Sequence, residues 1–284
     1  MGVTGNEQAT SKSMDRFLES VLCGYAVCHD VSPANSYCIF GCGPAATACK
    51  AVSDLSDSSL NRPVPFVTDR RVPGWVGKDT LCIVVGPEGS DVVSERLTER
   101  GARVVWTGTP DTECVAGFHL GSALSALVSA GLVSRTVLTD AVASARSLLS
   151  GYNDQHDILD RLRGRIPAFY STSEMSAAAM WWSQAISDAM GVVSFYGELP
   201  EFDHNELVGW SDSNAHAPNL EIVILKGSCE SKMVQTIVGC MIEVLLENGR
   251  DVTVIDIPGD DQLTADLCAI CIAQSIVDST GETV

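Results

Sequence analysis

"IPAFYSTSEMSAAAMWWSQAISDAMGVVSFYGE", residues 166–198, reads as strand, helix and strand in one unbroken run. "IPAFYST" (166–172) is a short apolar segment of strand length. "SEMSAAAMWWSQAISDAM" (173–190) is long enough for a helix and rich in alanine, the strongest helix former. After Gly191 the chain returns to valine, phenylalanine and tyrosine, which suit a strand. Two strands joined by a helix make a parallel pair, because parallel neighbours need a long crossover.

The alternation continues on both sides. Downstream come "LEIVILKG" (220–227), "SKMVQTIVGCMIEVLLENG" (231–249), "DVTVIDIPG" (251–259) and "TADLCAICIAQSIV" (264–277). Upstream, "SYCIFGCG" (36–43) runs as a strand into a glycine turn, with "PAATACKAVSDL" (44–55) as the following helix. "VPFVTD" (64–69), "DTLCIVVG" (79–86) and "ARVVWTG" (102–108) are further strands. "SDVVSERLTERG" (90–101) is a helix capped by Ser90 or Asp91 and stopped by Gly101. Two helical stretches, 117–132 and 137–151, follow without a strand between them. The polar segment "YNDQHDILDRLRG" (152–164) then closes the first half. The fold class is therefore α/β, doubly wound and flavodoxin-like, in two domains spanning 1–155 and 156–284.

Composition narrows the partners. Of 284 residues, 18 are Lys or Arg and 36 are Asp or Glu, giving a net charge of −18. Nucleic acid is disfavoured, since phosphate backbones need a basic footprint. No run of eighteen apolar residues is present, so no membrane span is expected, and the N-terminus lacks a basic region followed by an apolar one. The eleven cysteines are scattered through apolar runs, which points to reduced core thiols and a cytoplasmic location. Cys268 and Cys271 form a CxxC inside an apolar helix with no second ligand cluster, so no metal is expected.

The segment 165–210 resembles the second half of the bifunctional phosphoglucose/phosphomannose isomerases, which carry two sugar-isomerase (SIS) domains. The combination "ELPE" (198–201), "HNE" (204–206) and "VGW" (208–210) carries the resemblance, supported upstream by "RVPGWVGKDTLCIVVG" (71–86). The resemblance implies a homodimer that interconverts aldose and ketose 6-phosphates through an enediolate, without metal or organic cofactor. His204 is then the ring-opening residue, and Glu206 orients its segment. The family's base carboxylate stands sixteen residues before that histidine, at Asp188. Aspartate keeps the chemical group and shortens its reach by one methylene.

The phosphate loops depart from the family pattern. The first, Gly-x-Gly-Gly-Ser in the family, is "GCGPAATA" (41–48) here, with Gly41, Gly43 and the hydroxyl of Thr47 as substrate-binding candidates. Pro44 removes one N–H donor. The hydroxyl-rich second loop corresponds to "VVGPEGSDVV" (84–93), where Glu88, Gly89 and Ser90 stand, and a carboxylate at 88 repels a phosphate. The family's arginine maps onto Gly121, and its C-terminal lysine has no counterpart in "VDSTGETV" (277–284). Two readings stay open: a sugar-phosphate isomerase, and a catalytically silent SIS protein that binds a sugar phosphate or related carbohydrate derivative to regulate a partner.

Overall fold

A computed structural model describes residues 5–55, 59–68, 71–86, 92–110, 114–150, 152, 157–201, 206–210 and 219–279. The chain divides into two compact units, a first of Arg16–Val142 and a second of Met1–Asp15 with Ala143–Val284. Each contains a four-stranded sheet whose strands all run parallel.

In the first unit the strands are β1 (Ser36–Phe40), β2 (Phe66–Val67), β3 (Thr80–Val84) and β4 (Arg103–Trp106), in the order β2-β1-β3-β4. Every residue of β3 is buried, as expected for a parallel strand covered on both faces. Helices α1 (Gly5–Tyr25), α2 (Ala46–Asp54), α3 (Val92–Glu99), α4 (Val115–Ser129) and α5 (Val137–Leu149) accompany these strands along the chain. The stretch 64–69 contributes only two strand residues, and the proposed caps at 90 and 91 lie outside the described residues.

The second unit repeats the topology. Its strands β5 (Ile166–Thr172), β6 (Phe195–Leu199), β7 (Leu220–Gly227) and β8 (Val252–Ile257) lie in the order β6-β5-β7-β8. The helices here are α6 (Asp157–Leu162), α7 (Ser176–Met190), α8 (Lys232–Glu247) and α9 (Gln262–Ser279). Trp182 on α7 is fully buried, lies against the Phe169 ring and donates its Nε1–H to the Ala269 carbonyl on α9 at 2.9 Å. It is a core residue of this unit. Cys268 and Cys271 are buried free thiols on α9. Glu221 is 1% exposed and held by Arg161, Arg165 and Thr253 at 3.2, 2.6 and 2.9 Å, the pairing a buried charge requires. Among the described residues no helix is long and apolar enough to cross a membrane.

One crossing in the first unit was not foreseen. The later part of α1 presses so closely on α4 that a Cβ at Gly121 would stand 1.9 Å from the Val21 carbonyl oxygen. On the facing helix, a Cβ at Gly24 would stand 1.9 Å from the Phe118 carbonyl oxygen. Backbone lies against backbone, so no side chain can yield. Gly121→Ala is therefore expected to destabilise the protein by about 1–3 kcal/mol or more through overpacking. A urea-denaturation midpoint unchanged from wild type would contradict this packing.

Candidate functional site

In each unit the first strand is central, with the second strand on one side and the third on the other. Successive crossovers leave in opposite directions, and a crevice opens beyond the carboxyl ends of the two middle strands. In the first unit those ends belong to β1 and β3. Beyond β1, Gly41 gives way to Gly43, which has φ of 59° and open space where a Cβ would be. A short 3-10 turn, Gly43–Ala45, leads into α2, whose N-terminus has no side-chain cap. Uncapped N–H groups at such a point suit an anion. Thr47, by contrast, is only 1% exposed. Beyond β3 the description reaches Gly86, and Glu88, Gly89 and Ser90 lie outside the described residues.

The end of β3 is fixed by a residue that motif reading missed. Thr107, fully buried just past β4, accepts the Gly86 N–H on its Oγ1 at 3.0 Å. Its own N–H goes to the Val84 carbonyl at 3.1 Å, and the Gly108 N–H goes to the Gly86 carbonyl at 3.1 Å. The Thr107 hydroxyl lies 2.7 Å from His119 Nδ1 on α4. Ser122 donates to the Thr107 carbonyl at 3.0 Å, which leaves its oxygen to accept from His29 Nε2 at 3.0 Å. Burial holds both histidines below the ordinary imidazole pKa, His119 by burial alone and His29 against an opposing bond to Ser122.

In the second unit, His204 and Asn205 lie outside the described residues, whereas Glu206 is described. The Tyr170 hydroxyl donates to Glu206 Oε2, and Trp210 packs edge-on against the Tyr170 ring at 6.2 Å. Burial, then the Glu206 bond, raises the Tyr170 pKa, so the phenol stays protonated and keeps donating. Tyr170 clusters with Val238, Met241 and Leu245 of α8, whereas its neighbour Phe169 meets Trp182 of α7. Adjacent strand residues point to opposite faces, so Glu206 belongs to the α8 face of the sheet. Asp188 is exposed on α7, beside Ser187, whose hydroxyl meets that of Ser194 at 2.8 Å just before β6. Asp188 and Glu206 are thus carried on opposite faces of one sheet.

Residues 152–273 match the family model described as the bacterial phospho-glucose isomerase C-terminal SIS domain. Over 209 residues the chain is 26% identical to the bifunctional phosphoglucose/phosphomannose isomerase of Aquifex aeolicus (strain VF5), covering 66% of this chain and 65% of that protein. The matched C-terminal segment is a SIS domain, and the chain as a whole is similar to a phosphosugar isomerase. Its fold is shared with the C-terminal domain of glucosamine-fructose-6-phosphate aminotransferase from Francisella tularensis, at TM-score 0.69, 11% identity and coverage of 96% and 95%. Tagatose-6-phosphate ketose/aldose isomerase from Escherichia coli aligns at TM-score 0.62 and 12% identity, covering 96% and 87%.

At Gly121, where the resemblance implied an arginine, a side chain meets a steric bar. The α1–α4 crossing leaves no room for any side chain there. Among the described residues no cluster of His, Cys, Asp or Glu could hold a metal.

In the second SIS unit a side chain of the protein itself stands at the carboxyl ends of the middle strands. Glu230, just beyond β7 and 4% exposed, accepts the Thr172 hydroxyl at 2.7 Å across the ends of β5 and β7. A Cβ at Gly227 would stand 2.4 Å from Met175 Sδ, so the sulfur would have to move aside. A carboxylate thus occupies the position that would otherwise welcome an anion. Burial raises the Glu230 pKa, against opposing bonds from Thr172 and the Gly227 backbone, and among the described residues its Oε2 has no hydrogen-bond partner. A carboxyl whose folded pKa is raised contributes stability below its unfolded pKa and loses it as pH rises through the folded value. Glu230→Gln should therefore melt above wild type at pH 8, with the gap narrowing as pH falls toward about 4. Parallel pH–Tm curves for the two proteins would contradict it.

Proposed function

We propose that the protein is a phosphosugar aldose–ketose isomerase of the glucose 6-phosphate/mannose 6-phosphate to fructose 6-phosphate type. The observation that carries this reading is the anchoring of the "HNE" segment, where Tyr170 and Trp210 fix Glu206 directly after His204 and Asn205. An isomerase needs a proton donor held at a sugar ring oxygen, and imidazole titrates near neutrality. The sugar phosphate binds the first-unit crevice, where backbone N–H groups after Gly41 receive the phosphate. Asp188 takes the proton from C2 of the aldose, the electrons of that C–H bond form an enediolate, and the proton returns to C1 to give the ketose. His204 protonates the ring oxygen as the sugar opens. Neither metal nor organic cofactor takes part.

Because Asp188 and Glu206 sit on opposite faces of their sheet, the site is completed by a second copy, whose His204 meets this copy's Asp188. The edge strand β6 supports such a homodimer, since Val193, Phe195 and Tyr196 around its start are 65%, 55% and 48% exposed. The free thiols of all eleven cysteines suit the reducing cytoplasm.

A second reading, a catalytically silent SIS protein binding a carbohydrate derivative and regulating a partner, draws on the burial of Thr47 and the exclusion of a cation at Gly121. Turnover separates the two. Purified protein should convert fructose 6-phosphate to glucose and mannose 6-phosphates, and Asp188→Asn or His204→Ala should each lower kcat about 10²–10⁴-fold. Mixing the two variants with subunit exchange should restore about a quarter of wild-type activity, since only hybrid dimers carry one intact site. Wild-type turnover no greater than that of either variant would leave the silent reading in place.

A further inference from the structure

We propose that Cys38 and Cys82 are a latent oxidation site: a hydroperoxide joins them in a disulfide when β1 and β3 part, and the bond then holds the two middle strands together. The inference stands whatever ligand the crevice takes. β1 and β3 pair with Cys38 directly opposite Cys82, and Phe40 opposite Val84. Residues in register on neighbouring strands point to the same face, and these four enter one apolar cluster with Val93 and Leu97. Neighbouring strands lie about 4.8 Å apart, inside the Cα separation of about 4.4–6.8 Å that a disulfide spans. The Cys38 thiol donates to the Cys82 sulfur at 3.4 Å. An S–S bond of about 2.05 Å therefore needs the sulfurs to close by about 1.4 Å, which turns of the two side chains can supply with little change in the backbone.

In the closed sheet the pair is inert. Both cysteines are fully buried free thiols. The bond to Cys82 and then burial raise the Cys38 pKa, and it is a thiolate that attacks a peroxide. Both causes vanish together when the strands separate, because the same motion breaks the S–H···S bond and admits water. One thiolate then attacks the hydroperoxide: an S–O bond forms, the O–O bond breaks, and hydroxide or alkoxide leaves. As the strands return to register, the second sulfur attacks the first. The S–S bond forms, the S–O bond breaks, and the second thiol's proton leaves with the departing hydroxide as water. Each sulfur gives up one electron, and the broken O–O bond takes both. The two cysteines are 44 residues apart in sequence, so the closed loop is long enough to remove much freedom from the unfolded chain. The bond thus forms in molecules that have begun to open, and it opposes further opening.

The test uses the full reduced chain, with the exposed thiols of Cys23, Cys28, Cys42 and Cys240 first capped by iodoacetamide in the folded state. Hydrogen peroxide is added at room temperature and, in a second sample, just below the melting midpoint, and the protein is digested without reductant. The peptide carrying Cys82 should appear joined to the peptide carrying Cys38, two hydrogen masses below the sum of the pair, and dithiothreitol should separate them. The linkage should form at least about tenfold faster near the midpoint, because opening rates rise about 3–6-fold per 10 °C. Linked protein should melt about 5–10 °C above reduced protein. Cys38→Ala and Cys82→Ala should each abolish both the linkage and the rise in Tm. A Cys82 peptide that stays reduced in wild-type protein at both temperatures overturns the proposal, whether or not either variant folds. Linkage at equal rates in the two samples overturns the gating by strand separation, and linkage without a rise in Tm overturns the hold on the sheet.

Discussion

A parallel strand covered on both faces has no side chain to spare for chemistry. In β3 all five residues are buried, and β7 runs through five consecutive buried residues. Such strands carry apolar side chains along almost their whole length, because each residue points into one core or the other. Polar function is confined to the strand ends, where the chain turns and backbone N–H groups become free. The central position of β1 and β5 then selects which ends face a crevice. The rest of the site is a question of what the turns after four strands supply.

The two units answer that question differently on one topology. After β1 the first unit places Gly43, with open space around it, before an uncapped helix. After β7 the second unit places Glu230, which reaches across to Thr172 and fills the gap with a carboxylate. The same crevice can therefore be left open to an anion or sealed by an internal anion, and a single side chain makes the difference. This placement has its own cost, since one Glu230 oxygen is buried without a partner among the described residues. Among the described residues, the turn after β1 has open space at Gly43 and the turn after β7 holds a buried carboxylate.

The sheets and most helices were legible because their signal is local. Apolar runs of five to eight residues between glycine-rich turns mark parallel strands wherever they occur, and "LEIVILKG" did so without ambiguity. Thr107 and His119 were not legible. His119 stands inside "GFHLGSALSALVSAGL", where periodicity announces only a buried helix, and its partner comes from a strand end twelve residues earlier. Gly121 was visible as a missing arginine, but its cause lies in α1, a helix that the reading of residues 1–21 for targeting signals passed over. Contacts between elements distant in sequence leave no periodic trace. Asp188 and the "HNE" segment were found by resemblance, which gives residues without saying which face of the sheet carries them.

Net charge is a weaker argument against a phosphate ligand than the composition suggests. At physiological ionic strength the screening length is about 8 Å, so most of the −18 is invisible to an anion inside a crevice. What decides binding is the set of donors within hydrogen-bond reach. Here the α1–α4 crossing leaves no room for a side chain at Gly121, and no substitution can place a cation there without parting two helices in backbone contact. A phosphate in this protein would have to be held by peptide N–H groups, which are weaker singly than a guanidinium and act only when several are aimed together. That places unusual weight on the geometry of the turn after β1, where Gly43 leads into an uncapped helix.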